Sequence, residues 1–161
     1  LSLDFNKNIN TMEQRINIQE KGQNAFKALF GIGAYLKKSS LDKNLLELVY
    51  FRISQINGCA YCLDMHSKEL RAAGETEQRL YGLSAWRETP YYTEREQAAL
   101  AWAEAVNACE VPDEVFRQAI ASFSEEELID LTLAISTINT WNRLNISFRT
   151  IPGDYKVGQF G

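Results

Sequence analysis

The chain is poor in the residues that most often carry chemistry: it has one histidine, three cysteines and three prolines among 161 residues. Its net charge of −4 provides neither a basic stripe for nucleic acid nor a polybasic anchor for a membrane surface. No apolar run approaches the roughly 20 residues a membrane span needs, and even "LLELVYF" carries a carboxylate. The opening "LSLDFNKNIN" lacks the apolar core of a signal peptide, so a cytoplasmic home is expected. In that compartment a close cysteine pair points to metal binding or catalysis before a structural staple. A disulfide closing so short a loop would also remove little entropy from the unfolded chain. Alternating strand patterns, repeats and low-complexity linkers are all missing. What remains is 45% hydrophobic and 24% charged residues, the balance of a globular protein able to bury a core.

With prolines only at 90, 112 and 152, most of the chain follows helical periodicity. "TMEQ" places Gln14 three residues after the hydroxyl of Thr11, predicting a first helix from there to about Phe30. "GIGAYLKKSS" reads as a break or a short irregular turn of helix. Ser40 is the expected cap of the apolar helix "LDKNLLELVYFRISQIN", which stops near Asn57-Gly58. A further helix ends at "RAAGE", where Gly74 can supply a left-handed cap. "TEQRLYGLSAW" is helical with an interruption near Gly82 and ends before Pro90. Capping boxes at Thr93/Glu96 and Ser124/Glu127 open helices running to about Ala108 and Phe148, and Pro112 suits the first turn of a short helix through Phe123. Leu128, Leu131, Ala134, Ile135, Ile138 and Trp141 share one stripe of the last helix, and "RTIPGDYKVGQFG" is an aperiodic tail. The expected architecture is all-α, about seven helices in one domain over 1–161, with a core at about 41–123 and a closing helix and tail at 124–161.

"GCAYCLDMH" holds two of the three cysteines and the lone histidine. On a helix Cys59, Cys62 and His66 are spaced three and four apart, so neighbours lie within ~60° and share a face. Gly58 leaves the cysteines in the first turn, where free N–H groups and the helix dipole favour thiolate. An imidazole one turn from Cys62 can take its proton, directly or through a water. Glu47, the lone acid in "LLELVYFRIS", is the candidate to orient that imidazole, because a buried carboxylate demands a partner. Other readings stay open at this level. The thiols can be plain buried residues, and His66 a satisfied core or surface histidine. Glu47 can pair with Lys43. Cys59, Cys62 and His66 can hold zinc, although no fourth soft ligand is evident and Cys109 is distant. Trp86, Trp102 and Trp141 fit core or interface positions.

Glu47, followed twelve residues later by Cys59-Ala-Tyr-Cys62 and then His66, resembles the active-site signature of the alkylhydroperoxidase D-like proteins of the carboxymuconolactone decarboxylase superfamily. "RISQINGCAYCLDMHSKELRAAG" is similar to the core of that domain, and "INTWNRLNISFRTIPG" to a C-terminal signature of a peroxidase-related branch. The resemblance covers the chain from about Leu41 onward. It implies an all-helical, homo-oligomeric protein, trimer or hexamer with a dimer as alternative, that reduces organic hydroperoxides without a cofactor or metal. By position, it makes Cys62 the peroxidatic thiol and Cys59 the resolving one, with His66 and Glu47 as the proton relay. The implied partner is a dithiol reductant, a lipoyl-bearing protein in the type member. One departure stands out: Tyr61 occupies the place of a second histidine, and a phenol is a poor base near neutral pH. The cysteine pair argues against the lactone-decarboxylating activity of the wider superfamily. A redox-responsive or zinc-holding interaction protein is the alternative outside peroxidase chemistry. Asn142 and Arg143 of "WNRLN" are expected to cap and cross-link helices rather than line a pocket.

Overall fold

The computed structural model describes residues 12–160. Among them the chain forms α1 (Ile18–Lys21), α2 (Gln23–Leu36), α3 (Lys43–Asn57), α4 (Ala60–Ala72), α5 (Glu77–Gly82), a 3-10 segment (Leu83–Glu88), α6 (Glu94–Ala108), α7 (Asp113–Ser122) and α8 (Glu125–Phe148). The all-α class is as expected, with eight α-helices instead of about seven. No helix among the described residues is long and apolar enough to cross a membrane.

The difference in count lies at the start of the chain. The expected cap at Thr11 lies outside the described residues, and Met12–Asn17 is not helical. Asn17 caps α1 instead, its side-chain oxygen accepting from the N–H groups of Gln19 and Glu20. Gly22 then separates α1 from α2, at a position where a Cβ would stand 2.6 Å from the Ile18 carbonyl oxygen. The break expected at "GIGAYLKKSS" is absent up to Leu36. Two interior glycines weaken that helix by roughly 1 kcal/mol each. Packing offsets this: Phe26 and Phe30 pack on Trp141 of α8, with ring centroids 5.0 and 5.6 Å away. Asp42, not Ser40, caps α3: its carboxylate accepts from the Leu45 N–H at 3.0 Å, a charged acceptor at the positive end of the helix. Ser40 donates to Glu127.

Helix α3 is the axis of the molecule and packs against α4, α6 and α8. Val49 and Ile53 have no exposed surface and meet Leu131 and Ile135 of α8 in one core. Leu48 and Phe51 face a second core with Leu70, Leu83 and Leu100. Each such side chain contributes about 1.5–3 kcal/mol by leaving water. Both capping boxes form as expected, at Thr93/Glu96 and Ser124/Glu127.

A polar seam fixes how α3 and α8 meet. Asn142, fully buried, donates to the Ser54 hydroxyl at 3.0 Å and accepts from Asn57 at 2.9 Å. Asn57 also donates to Asn139 at 3.0 Å, and Arg143 donates to the Asn139 side chain. Asn142 therefore cross-links α8 to α3, as expected, whereas Arg143 bonds to Asn139 one turn earlier in its own helix. Because an unpartnered buried hydroxyl and amide are costly, Asn142→Ala is expected to destabilise the fold by about 2–4 kcal/mol. The measurement is a lower urea midpoint at unchanged slope.

Candidate active site

Gly58 ends α3 in the left-handed region (φ 68°) and so turns the chain directly into α4. Cys59 takes the N-cap position, where its Sγ accepts from the Cys62 N–H at 3.3 Å. Cys62 lies in the first turn, and His66 follows one turn later on the same face. The two cysteines are joined as a disulfide, and each is 1% exposed. Because the seam of asparagines registers α8 against α3, Asn145 comes to rest beside Cys62. Its amide donates one hydrogen to Cys62 Sγ at 3.6 Å and the other to the Trp141 carbonyl at 2.9 Å.

His66 is buried, and its Nδ1 lies 2.7 Å from Glu47 Oε2. The carboxylate thus pairs across two helices and not with Lys43 in its own. Nε2 on the far side of the ring is buried with no hydrogen-bond partner among the described residues. Tyr50 lies against the imidazole, ring centroids 5.3 Å apart. Burial, then the Glu47 charge, pushes its phenol far above the ordinary value, so Tyr50 is neutral.

Cys62 and His66 both line a cavity of about 160 Å³ between α2, α3, α4 and α8. Its walls are apolar, with Phe26, Phe30, Met65, Ile138 and Trp141 prominent, and Gly33 contributes no side chain to them. Trp86 and Trp102 are core residues, but Trp141 is a cavity wall, which the sequence reading did not assign to it. Tyr61 also lines the cavity; burial, then the Asp64 carboxylate, pushes its phenol up. At neutral pH it is a hydrogen-bond donor and not a base. Cys109 stands exposed at the left-handed end of α6, away from the pair. Among the described residues, no three His, Cys, Asp or Glu side chains gather as a group able to hold a metal ion.

The tail closes one side of the cavity with Phe160, which packs on Phe30 and Tyr155. α4 holds it there: Lys68 Nζ donates to the Gly153 carbonyl at 2.7 Å, and Glu69 accepts from Tyr155 Oη at 2.5 Å and Gly158 N–H at 2.7 Å. Burial pushes the Glu69 carboxyl up, but these two donors, with the charges of Lys43 and His66, hold it below its ordinary value. A depressed folded-state value means the contribution is complete above the unfolded value of about 4.3 and is lost as pH falls through the folded one. Acidification below about pH 4 is expected to loosen the tail. The readout is a change in tryptophan emission that the Glu69→Gln variant already shows at pH 7.

An all-α frame thus carries a buried cysteine pair beside a Glu–His couple. Residues 22–105 match the model of the carboxymuconolactone decarboxylase family, and the chain belongs to that family. It is 40% identical over 139 residues to the uncharacterized protein YdfG of Bacillus subtilis, covering 84% of this chain and 95% of that one. A crystal structure from Agrobacterium tumefaciens superposes with a TM-score of 0.84 at 42% identity, covering 89% of this chain and all of that one. That protein is of unknown function, put forward as an antioxidant defence protein AhpD. A shorter match, 48% identical over 40 residues, is to the alkyl hydroperoxide reductase AhpD of Mycobacteroides abscessus, covering 25% of this chain and 23% of that protein.

Proposed function

We propose that the protein is a thiol-dependent peroxidase that reduces organic hydroperoxides with the Cys59/Cys62 pair and is regenerated by a dithiol. The observation that carries this reading is the shared cavity. Cys62 and His66 open on one apolar space, while Glu47 holds the opposite nitrogen of the imidazole. In the reduced protein, His66 accepts the Cys62 proton and the thiolate attacks the terminal oxygen of ROOH. The O–O bond breaks, Cys62 becomes a sulfenic acid, and the proton returns to RO⁻ to give ROH. Cys59 then attacks the sulfenic sulfur, forming the disulfide and releasing water. A dithiol takes the place of the disulfide as the oxidised species and restores both thiols; a lipoyl-bearing protein is the expected donor. The apolar walls favour an alkyl or aryl hydroperoxide over hydrogen peroxide, because the organic group leaves water on binding.

The test is consumption of cumene hydroperoxide with dihydrolipoamide as donor. Alcohol and oxidised lipoamide are expected in equal amounts. Absence of both hydroperoxide consumption and reversible formation of the Cys59–Cys62 disulfide would sink the reading.

A further inference from the structure

The two cysteines of the disulfide line different spaces. The apolar cavity is lined by Cys62 and not by Cys59. A second cavity, of about 140 Å³, is lined by Cys59 and not by Cys62, together with Gly58, Tyr61, Asn145, Arg149 and Thr150. Tyr61 and Asn145 line both and form the shared wall. Thr150 is nine-tenths buried, and its hydroxyl has no hydrogen-bond partner among the described residues. An unpartnered buried hydroxyl is costly, so a group bound in this cavity would relieve it. Arg149, exposed at the left-handed end of α8, sets a positive charge at the rim.

We propose that the reducing dithiol enters through this second cavity and attacks Cys59, so that hydroperoxide and reductant use opposite faces of one disulfide. The proposal rests on the redox role of the pair given above. Displacement at sulfur runs along the S–S axis, so a nucleophile from the Cys59 side drives Cys62 out as the leaving group. Cys62 is the better leaving group here: it lies in the first turn of α4, receives the Asn145 amide and stands one turn from His66. The reductant's thiolate bonds to Cys59 Sγ, the S–S bond breaks, and Cys62 departs as thiolate into the space where hydroperoxide is reduced. The reductant's second thiol loses its proton and attacks its own sulfur in the mixed disulfide. The cyclic disulfide leaves, and Cys59 takes the proton. Arg149 favours the thiolate form of the incoming thiol. Tyr61, where the family resemblance expects a histidine, acts as the partition that keeps the two reactants apart.

The test traps the mixed disulfide on the oxidised wild-type protein. 2-Mercaptoethanol is added with excess iodoacetamide, the mixture is quenched in acid, and the two cysteines are read by fragment-ion mass spectrometry. Expected is mercaptoethanol on Cys59 and the alkyl label on Cys62; the reverse pattern, or equal amounts of both, overturns the proposal. This readout needs no hydroperoxide, so it stands even if the peroxidase reading fails, and it reports separately from it. In a second arm, Thr150→Phe is expected to slow reduction by dihydrolipoamide at least tenfold more than it slows oxidation by cumene hydroperoxide. Ile138→Phe, in the apolar cavity, should show the opposite bias. Equal slowing of both half-reactions in either variant overturns the proposal.

Discussion

A Cys62→Ser protein is expected to lose hydroperoxide reduction altogether, a fall on the order of 10³-fold or more, because the atom that attacks oxygen is gone. Cys59→Ser should behave differently. It keeps the attacking sulfur and loses only the partner, so each chain should yield one equivalent of alcohol and stop, with Cys62 held as a sulfenic acid that dimedone labels. The contrast between a lost burst and a single stoichiometric burst assigns the sulfurs. Helix position alone is ambiguous, since the first cysteine of such a pair is often the more acidic. In this protein Cys59 is the cap itself, whereas Cys62 has the Asn145 donor, the imidazole and the apolar cavity. A burst in Cys62→Ser and none in Cys59→Ser would reverse the assignment.

How far the sequence reveals this site depends on the range of the interactions involved. The capping boxes at Thr93 and Ser124, the helix stop at Gly58 and the left-handed turn at Gly74 are local, set within a few residues, and each appears where the sequence places it. Glu47 is a longer reach. It was legible because a lone acid in an apolar segment needs a partner, and the only histidine stands 19 residues on. The interruption expected over residues 31–40 begins only at Lys37, because Trp141, more than a hundred residues away, holds Phe26 and Phe30 and carries the helix past its two glycines. Asn145 was missed for the same reason: its partner sulfur is 83 residues distant. A signal for it existed. Asn139, Asn142 and Asn145 recur every three residues down one side of α8, and Asn142 and Asn145 are buried beside the apolar stripe. Buried amides in such a row must be satisfied by something across the helix interface. One row of three therefore serves both ends of the argument: Asn139 and Asn142 fix the seam to α3, and Asn145 meets the sulfur that the seam brings into register.

The second large effect is expected at the relay. His66→Gln should lower the rate of hydroperoxide reduction by about 10²–10⁴-fold, the range for a positioned acid–base group. Glu47 touches neither sulfur nor substrate in this account; it holds Nδ1 of His66 and leaves Nε2 as the nitrogen without a hydrogen-bond partner among the described residues. Glu47→Gln keeps an oxygen that can accept from Nδ1 but removes the charge, and a smaller loss, of about 10–100-fold, is expected. A merely structural role for Glu47 would lower stability without changing the chemistry of sulfur. The deciding measurement is therefore the rate at which iodoacetamide alkylates Cys62 in the reduced protein at pH 7, which reports thiolate without any hydroperoxide. Both single variants should slow it. Since Glu47 acts only through His66, the double variant should be no slower than His66→Gln alone. If the two losses multiply instead, Glu47 and His66 do not act as one relay, and the 2.7 Å contact between them is an ion pair of the core and nothing more.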